Sequence, residues 1–135
     1  MQQQKTLLHL TGVGGCPDFT ALYEQYGYKV ANAKTLRKAL ALIKQLAPSI
    51  IVAEFVYAPT YGSQLSNFES LFAAAQRFAP QAHFIAPTHR NDLAHLEKVR
   101  ARNPRCSVLL FPVARSAMDD CLNAITASDP TLSLG

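Results

Sequence analysis

Residues 47–59 read Ala-Pro-Ser-Ile-Ile-Val-Ala-Glu-Phe-Val-Tyr-Ala-Pro. Pro48 cannot continue a helix, so it closes whatever helix precedes it. Ile50, Ile51, Val52 and Ala53 then follow without a polar break. A strand that alternated apolar and polar residues would have one wet face. An unbroken run of this length is the pattern of a strand covered on both faces, as in a parallel sheet. The run ends in one carboxylate, Glu54, and a loop carrying Tyr57, Pro59 and Tyr61. In open parallel sheets, sites form at the carboxyl ends of the strands, which makes Glu54 the first candidate for chemistry.

Working outward, the same alternation of elements repeats. Residues 5–11 are a short apolar strand, followed by a turn at Gly12, Val13, Gly14 and Gly15. Pro17 suits the first turn of a helix carrying Phe19, Leu22, Tyr23 and Tyr26, which Gly27 ends. Asp18 is expected in that first turn, where an acid favours the helix dipole. A second strand covers residues 28–32. Residues 35–47 have the strongest helical period, with Leu36, Leu40, Ile43 and Leu46 on one face. After the loop, Ser66 and Glu69 have capping-box spacing before a helix with Phe68, Leu71, Phe72, Ala75 and Phe78. Residues 82–86 form a fourth strand, and 87–91 a loop. Asn91 or Asp92 caps a helix with Leu93, Leu96 and Val99. Residues 106–111 are the fifth strand, and 116–127 the last helix, with Met118, Cys121, Leu122 and Ile125 inward. Residues 129–135 are expected to fray.

Five β-α units in one chain of 135 residues imply a single domain over 1–135, with a core about 5–128. The expected architecture is three-layer αβα, a five-stranded parallel sheet in the flavodoxin-like order 2-1-3-4-5. An apolar fraction of 49% and a charged fraction of 16% fit a globular domain and exclude a disordered one. No apolar run is long enough to span a bilayer. The apolar run at residues 7–13 is broken by His9 and too short for a secretory signal, so the expected location is cytoplasmic. Three cysteines without Cys-x-x-Cys spacing argue against a disulfide framework or a zinc site. His83, His89 and His95 lack a metal-binding spacing, and His9 reads as a packed core residue.

In the order and spacing of three segments, the chain resembles the response-regulator receiver (CheY-like) domains. Tyr26, Gly27, Tyr28, Lys29 and Val30, followed by Ala33 and the helix over 36–46, are similar to the family's second strand and helix. Pro48 through Glu54 is similar to its Pro-Asp-Leu-Ile-Ile-Leu-Asp motif, with Glu54 at the phospho-acceptor aspartate. Leu110, Phe111 and Pro112 are similar to the Lys-Pro pair at the end of strand five, where the peptide bond is usually cis. The resemblance implies a signalling domain, and the departures imply what has been lost. Thr11 and Gly12 stand where receivers carry the acids that hold Mg²⁺. Phe111 stands at the lysine, and the strand-four hydroxyl falls on Thr88 or is absent, at Ala86. Mg²⁺ seeks several oxygen ligands and phosphoryl transfer needs cations around the moving oxygens. The chain therefore resembles a degenerate pseudo-receiver, with Glu54, Thr11, Gly12, Thr88 and Phe111 as the remnant of the site, no cofactor and no metal.

The expected function is a phosphorylation-independent adaptor in two-component signalling that binds a protein partner, not an enzyme. Glu54 is either a solvated or hydrogen-bonded carboxylate or a fixed imitation of the phosphorylated state. The aromatic residues Phe55, Tyr57 and Tyr61 either bind a partner or fill the emptied pocket. The net charge of +4 is concentrated around Arg90, Lys98, Arg100, Arg102 and Arg105, either a solvated helix face or a docking patch for an acidic partner. A homodimer through the face made by helix 4, strand 5 and helix 5 is the related option. No nucleic-acid motif and no membrane element is present. The competing reading is a small-molecule or anion sensor whose loop amides at Gly12, Gly14 and Gly15 face Glu54. A third is an enzyme using Cys16 as a low-pKa thiol at a helix start.

Overall fold

The computed structural model describes residues 5–11, 16–55, 67–103 and 105–128. Its strands are β1 (Lys5–Leu10), β2 (Tyr28–Ala33), β3 (Ile50–Ala53), β4 (His83–Thr88) and β5 (Cys106–Leu110). Its helices are α1 (Thr20–Gln25), α2 (Leu36–Leu46), α3 (Asn67–Phe78), α4 (Leu93–Arg100, entered through a 3-10 turn at Arg90–Asp92) and α5 (Arg115–Ser128). The strands form one sheet in the order β2-β1-β3-β4-β5, every pair parallel. This is the expected topology.

The central strand explains the layering. All four residues of β3 are fully buried. Ile51 and Ala53 face one apolar cluster, with Ala39 and Ile43 of α2, Phe68, Leu71 and Phe72 of α3, and Leu96 of α4. Ile50 and Val52 face the other, with Leu22 and Tyr23 of α1 and Met118, Leu122 and Ile125 of α5. Successive strand residues point to opposite faces, so a strand apolar at every position needs a helical layer on each side. Each fully buried Ile or Val side chain contributes about 1.5–3 kcal/mol of hydrophobic transfer free energy.

The helix ends follow from particular residues. Thr35 is the extended N-cap of α2 and its hydroxyl accepts from the Lys38 N–H at 3.1 Å. Ala47 closes α2 in the left-handed region, φ 45°, returning its N–H to the Ile43 carbonyl at 3.0 Å, before Pro48 turns the chain into β3. Gly27, at φ 91°, leaves α1 in a conformation that costs a side-chain-bearing residue about 1 kcal/mol or more.

Several local expectations are corrected. The inward stripe of α2 is Ala39 and Ile43, flanked by half-buried Leu36 and Leu40, while Leu46, in its last turn, is 42% exposed. Strand β4 continues through Pro87 and Thr88, which the sequence assigns to a loop. Pro87 lacks an N–H but still accepts from the Phe55 N–H at 2.9 Å, so pairing survives there. Asp18 stands two residues ahead of α1, not within its first turn, and its Oδ1 accepts from the Thr20 N–H at 2.9 Å. Asp92 occupies the N-cap position of α4 without a side-chain cap bond. Ser66 lies outside the described residues.

Candidate functional site

The carboxyl edge of the sheet is assembled by register. His9 pairs with Val52 and Leu10 with Ala53. On the other side Val52 pairs with Ile85, and the Phe55 N–H bonds the Pro87 carbonyl. Continuing those rows places Glu54 between Thr11 of the β1 end and Pro87 of β4. Phe55 packs with the α3 cluster, its ring 5.5 Å from Phe68. By alternation Glu54 therefore turns to the opposite face, the side of α1 and α5.

Glu54 is 6% exposed, so the strand end that seemed an open carboxylate is a covered one. Its charge acts on two neighbours on that face, His9 and Cys16. His9 is 8% exposed and meets Tyr23 edge-on, ring centroids 6.4 Å apart. Burial pushes its pKa below 6.5, against the opposing pull of Asp18, a hydrogen bond with Asn32, and Glu54. The expectation of a packed histidine holds. Asp18 is exposed and held below the usual carboxylate range by its bonds from Thr20.

The remaining residues of the presumed remnant do not all converge. Thr11 is exposed, and its N–H bonds the Ala33 carbonyl at 2.8 Å. Thr88 is fully buried and donates its hydroxyl to the Ala86 carbonyl at 2.8 Å. It shares a face with Phe84 and Ala86, opposite the face of Ile85, so strand four presents Pro87 rather than a hydroxyl beside Glu54. Phe111 is half-buried against the α1–α5 cluster, and its ring lies 4.5 Å from His89. The Phe111–Pro112 peptide bond is cis. Gly12, Gly14 and Gly15 of the candidate anion loop, and Tyr57 and Tyr61 of the candidate aromatic surface, lie outside the described residues.

The donor set does not fit a Mg²⁺ site of the receiver type. It offers one carboxylate, Glu54, with a threonine and a proline beside it. Among the described residues no three His, Cys, Asp or Glu side chains gather to hold a metal. The thiol reading is corrected as well. Cys16 lies four residues before a helix of only six residues, and burial, then the charge of Glu54, push its thiol up to about 11. An activated thiol requires the opposite shift. Phe55 is 2% exposed and packs on the α3 face, opposite Glu54.

The basic residues differ in their surroundings. Arg100 donates Nε to the Cys106 carbonyl at 2.7 Å and reaches Glu97 with Nη1 at 3.3 Å. Arg90, Lys98 and Arg102 are exposed. A feature missed by sequence reading is a polar row under α5: His83 Nε2 lies 3.0 Å from Ser107 Oγ, which in turn bonds Cys121. Hydrophobic patterning could not have found it, because each residue sits in a different element.

Comparison with solved structures places these observations. The chain is similar to a structure described as adenylate cyclase from Rhodopirellula baltica, with a TM-score of 0.65 and 18% identity over 98% of this chain and 92% of that one. It is similar to the signal receiver domain of a putative Luxo repressor protein from Vibrio parahaemolyticus, at 0.64 and 17%, covering 99% of each chain. It is also similar to the receiver domain of AraT, a response regulator from Geobacillus stearothermophilus, at 0.65 and 15%, covering 91% and 93%. No sequence-family profile matches the chain, and no curated protein does.

Proposed function

We propose that this chain, which has the fold of the response-regulator receiver (CheY-like) domains, is a phosphorylation-independent signalling adaptor that docks a protein partner and catalyses no reaction. The observation that carries the reading is the composition of the strand edge around Glu54. Thr11 and Pro87 flank a single covered carboxylate, with His9 and Cys16 near it on the same face. Phosphoryl transfer needs a metal and a cation to neutralise charge on the transferring oxygens. The neighbouring strand ends carry a threonine at position 11 and a phenylalanine at position 111, neither an acid nor a lysine.

What remains is a rigid frame with a surface. The face formed by α4, β5 and α5 offers Leu110, which is 37% exposed. The same face could receive a second copy of the chain. No helix among the described residues is long and apolar enough to cross a membrane, and a cytoplasmic adaptor is the location this reading takes. The anion-sensor reading gains no support, because the described part of its cleft presents a carboxylate that repels an anion.

The test is intact-mass measurement after incubation with acetyl phosphate and Mg²⁺. No mass gain is expected. A gain of one phosphoryl group that disappears in Glu54→Gln would overturn the proposal.

A further inference from the structure

We propose that the trough between α3 and α4 is a docking groove for an acidic amphipathic helix of a partner protein. This rests on reading the chain as a docking module, and it assigns the partner's chemistry and a seat away from the degenerate strand edge. Two adjoining cavities make the trough, of about 230 Å³ and about 410 Å³, and they share Phe72, Gln76, Arg102 and Asn103. Its origin is local. Helix α4 has eight residues and buries only Leu96, so it covers part of the α3 layer and no more. Facing it, α3 and the turn after it present Ala75, Ala79 and Ala82, whose small side chains leave a furrow instead of a ridge. Phe72 and Phe84, edge to face at 4.7 Å, close its floor.

The α4 side of the rim is basic. Lys98, Arg102 and Arg105 stand along the α4 side, against Glu69 alone on the α3 side. Arg105 is held in place by donating Nη1 to the Gln81 carbonyl at 3.0 Å. Neither Lys98 nor Arg102 has an ion-pair partner among the described residues. An apolar floor flanked by cations on one side matches a helix whose apolar stripe faces down and whose acidic side chains face α4. From Phe72 to Ala79 the floor runs about 10 Å, at 1.5 Å per residue, which seats about two helical turns. A nucleic acid would instead need aromatic faces open for stacking, and the aromatic rings here are buried in the floor.

The probe is a random library of short peptides panned against the full chain, with selected peptides measured by fluorescence anisotropy. The selected sequences are expected to be acidic, with apolar residues spaced i, i+3, i+4 and i+7. Binding should weaken about tenfold or more, a change of about 1.4 kcal/mol, with either Ala73→Trp, which fills the mouth, or Arg102→Glu, which reverses the rim. Ala73 and Arg102 are both exposed, so both variants should retain the parent's melting temperature. Selected peptides that are neutral or basic, binding untouched by both substitutions, or no selection at all would each overturn the groove. Amide shifts mapping a selected peptide to Leu110 and α5 would also overturn it, while leaving the adaptor reading intact. Sedimentation showing a dimer that Ala73→Trp dissolves would assign the trough to a second copy and overturn the acidic partner.

Discussion

The two faces of the sheet share one strand as their common wall and are built from different materials. The α2–α3–α4 face is an apolar aromatic layer, where Phe68 touches Phe55, Phe72 and Phe84 at centroid distances of 5.5, 5.3 and 5.8 Å. The α1–α5 face buries polar groups among its apolar ones: His9, Tyr23, Glu54, and the bond from Tyr26 to Asp119. Edge-to-face rings gain dispersion and quadrupole attraction with no polar atom to satisfy. Buried polar atoms must each find a partner or cost free energy. The first face is therefore expected to hold stability, and the second to hold the sensitivity to pH and to substitution of single atoms. Only the second carries the covered carboxylate of Glu54.

The largest expected break in that comparison is Phe68→Ala, which removes the hub of the aromatic layer. A loss of about 3–5 kcal/mol is expected, read as a lowered urea midpoint. Loss below about 1 kcal/mol would mean the layer is not the stabilising one. On the other face, Tyr23 is as deeply buried, yet its hydroxyl has no hydrogen-bond partner among the described residues. Tyr23→Phe keeps the ring and removes that atom, so a gain of about 1 kcal/mol is expected. The neighbouring tyrosine should behave in the opposite way. Tyr26 donates to Asp119 Oδ1 at 2.5 Å, and this bond, then desolvation, raises its pKa to about 12. Tyr26→Phe should cost about 1 kcal/mol, because the link between α1 and α5 is lost at a partly solvated position.

The most delicate contrast is in pH. Burial holds the folded pKa of His9 below 6.5, so the unfolded chain binds the proton at higher pH than the fold does. The histidine's contribution is thus fully present above 6.5, falls as pH drops below it, and is flat once pH passes the folded value. Melting temperatures at about pH 7.5 and about pH 5.5 should show that decline in the parent chain and a shallower one in His9→Gln. Equal declines would place the pH dependence elsewhere.

Much of this was legible before any coordinates. The run from Ile50 to Ala53 demanded two helical layers, and alternation with Gly and Pro punctuation fixed five β-α units and their order. The helix read over 35–47 is α2, with Thr35 and Ala47 as its caps and not its first and last turns. The exits were less legible. Pro87 looked like a loop residue because a proline lacks a donor, but its carbonyl alone sustains the pairing with Phe55. Leu46 keeps the apolar period of α2, and period alone does not show which of those positions the fold covers.

The chemistry of single groups divides in the same way. That positions 11 and 111 hold a threonine and a phenylalanine is a matter of residue identity, and identity is what a sequence records. That Glu54 is covered, that Thr88 turns its hydroxyl to Ala86 on the opposite face, and that Cys16 is pushed up rather than down are matters of burial and direction. Those depend on which elements pack over a strand end. The trough between α3 and α4 belongs there too. Its residues come from two helices, the turns that follow them and Phe84 of β4, and only folding brings alanines, phenylalanines and arginines of separate segments to one surface.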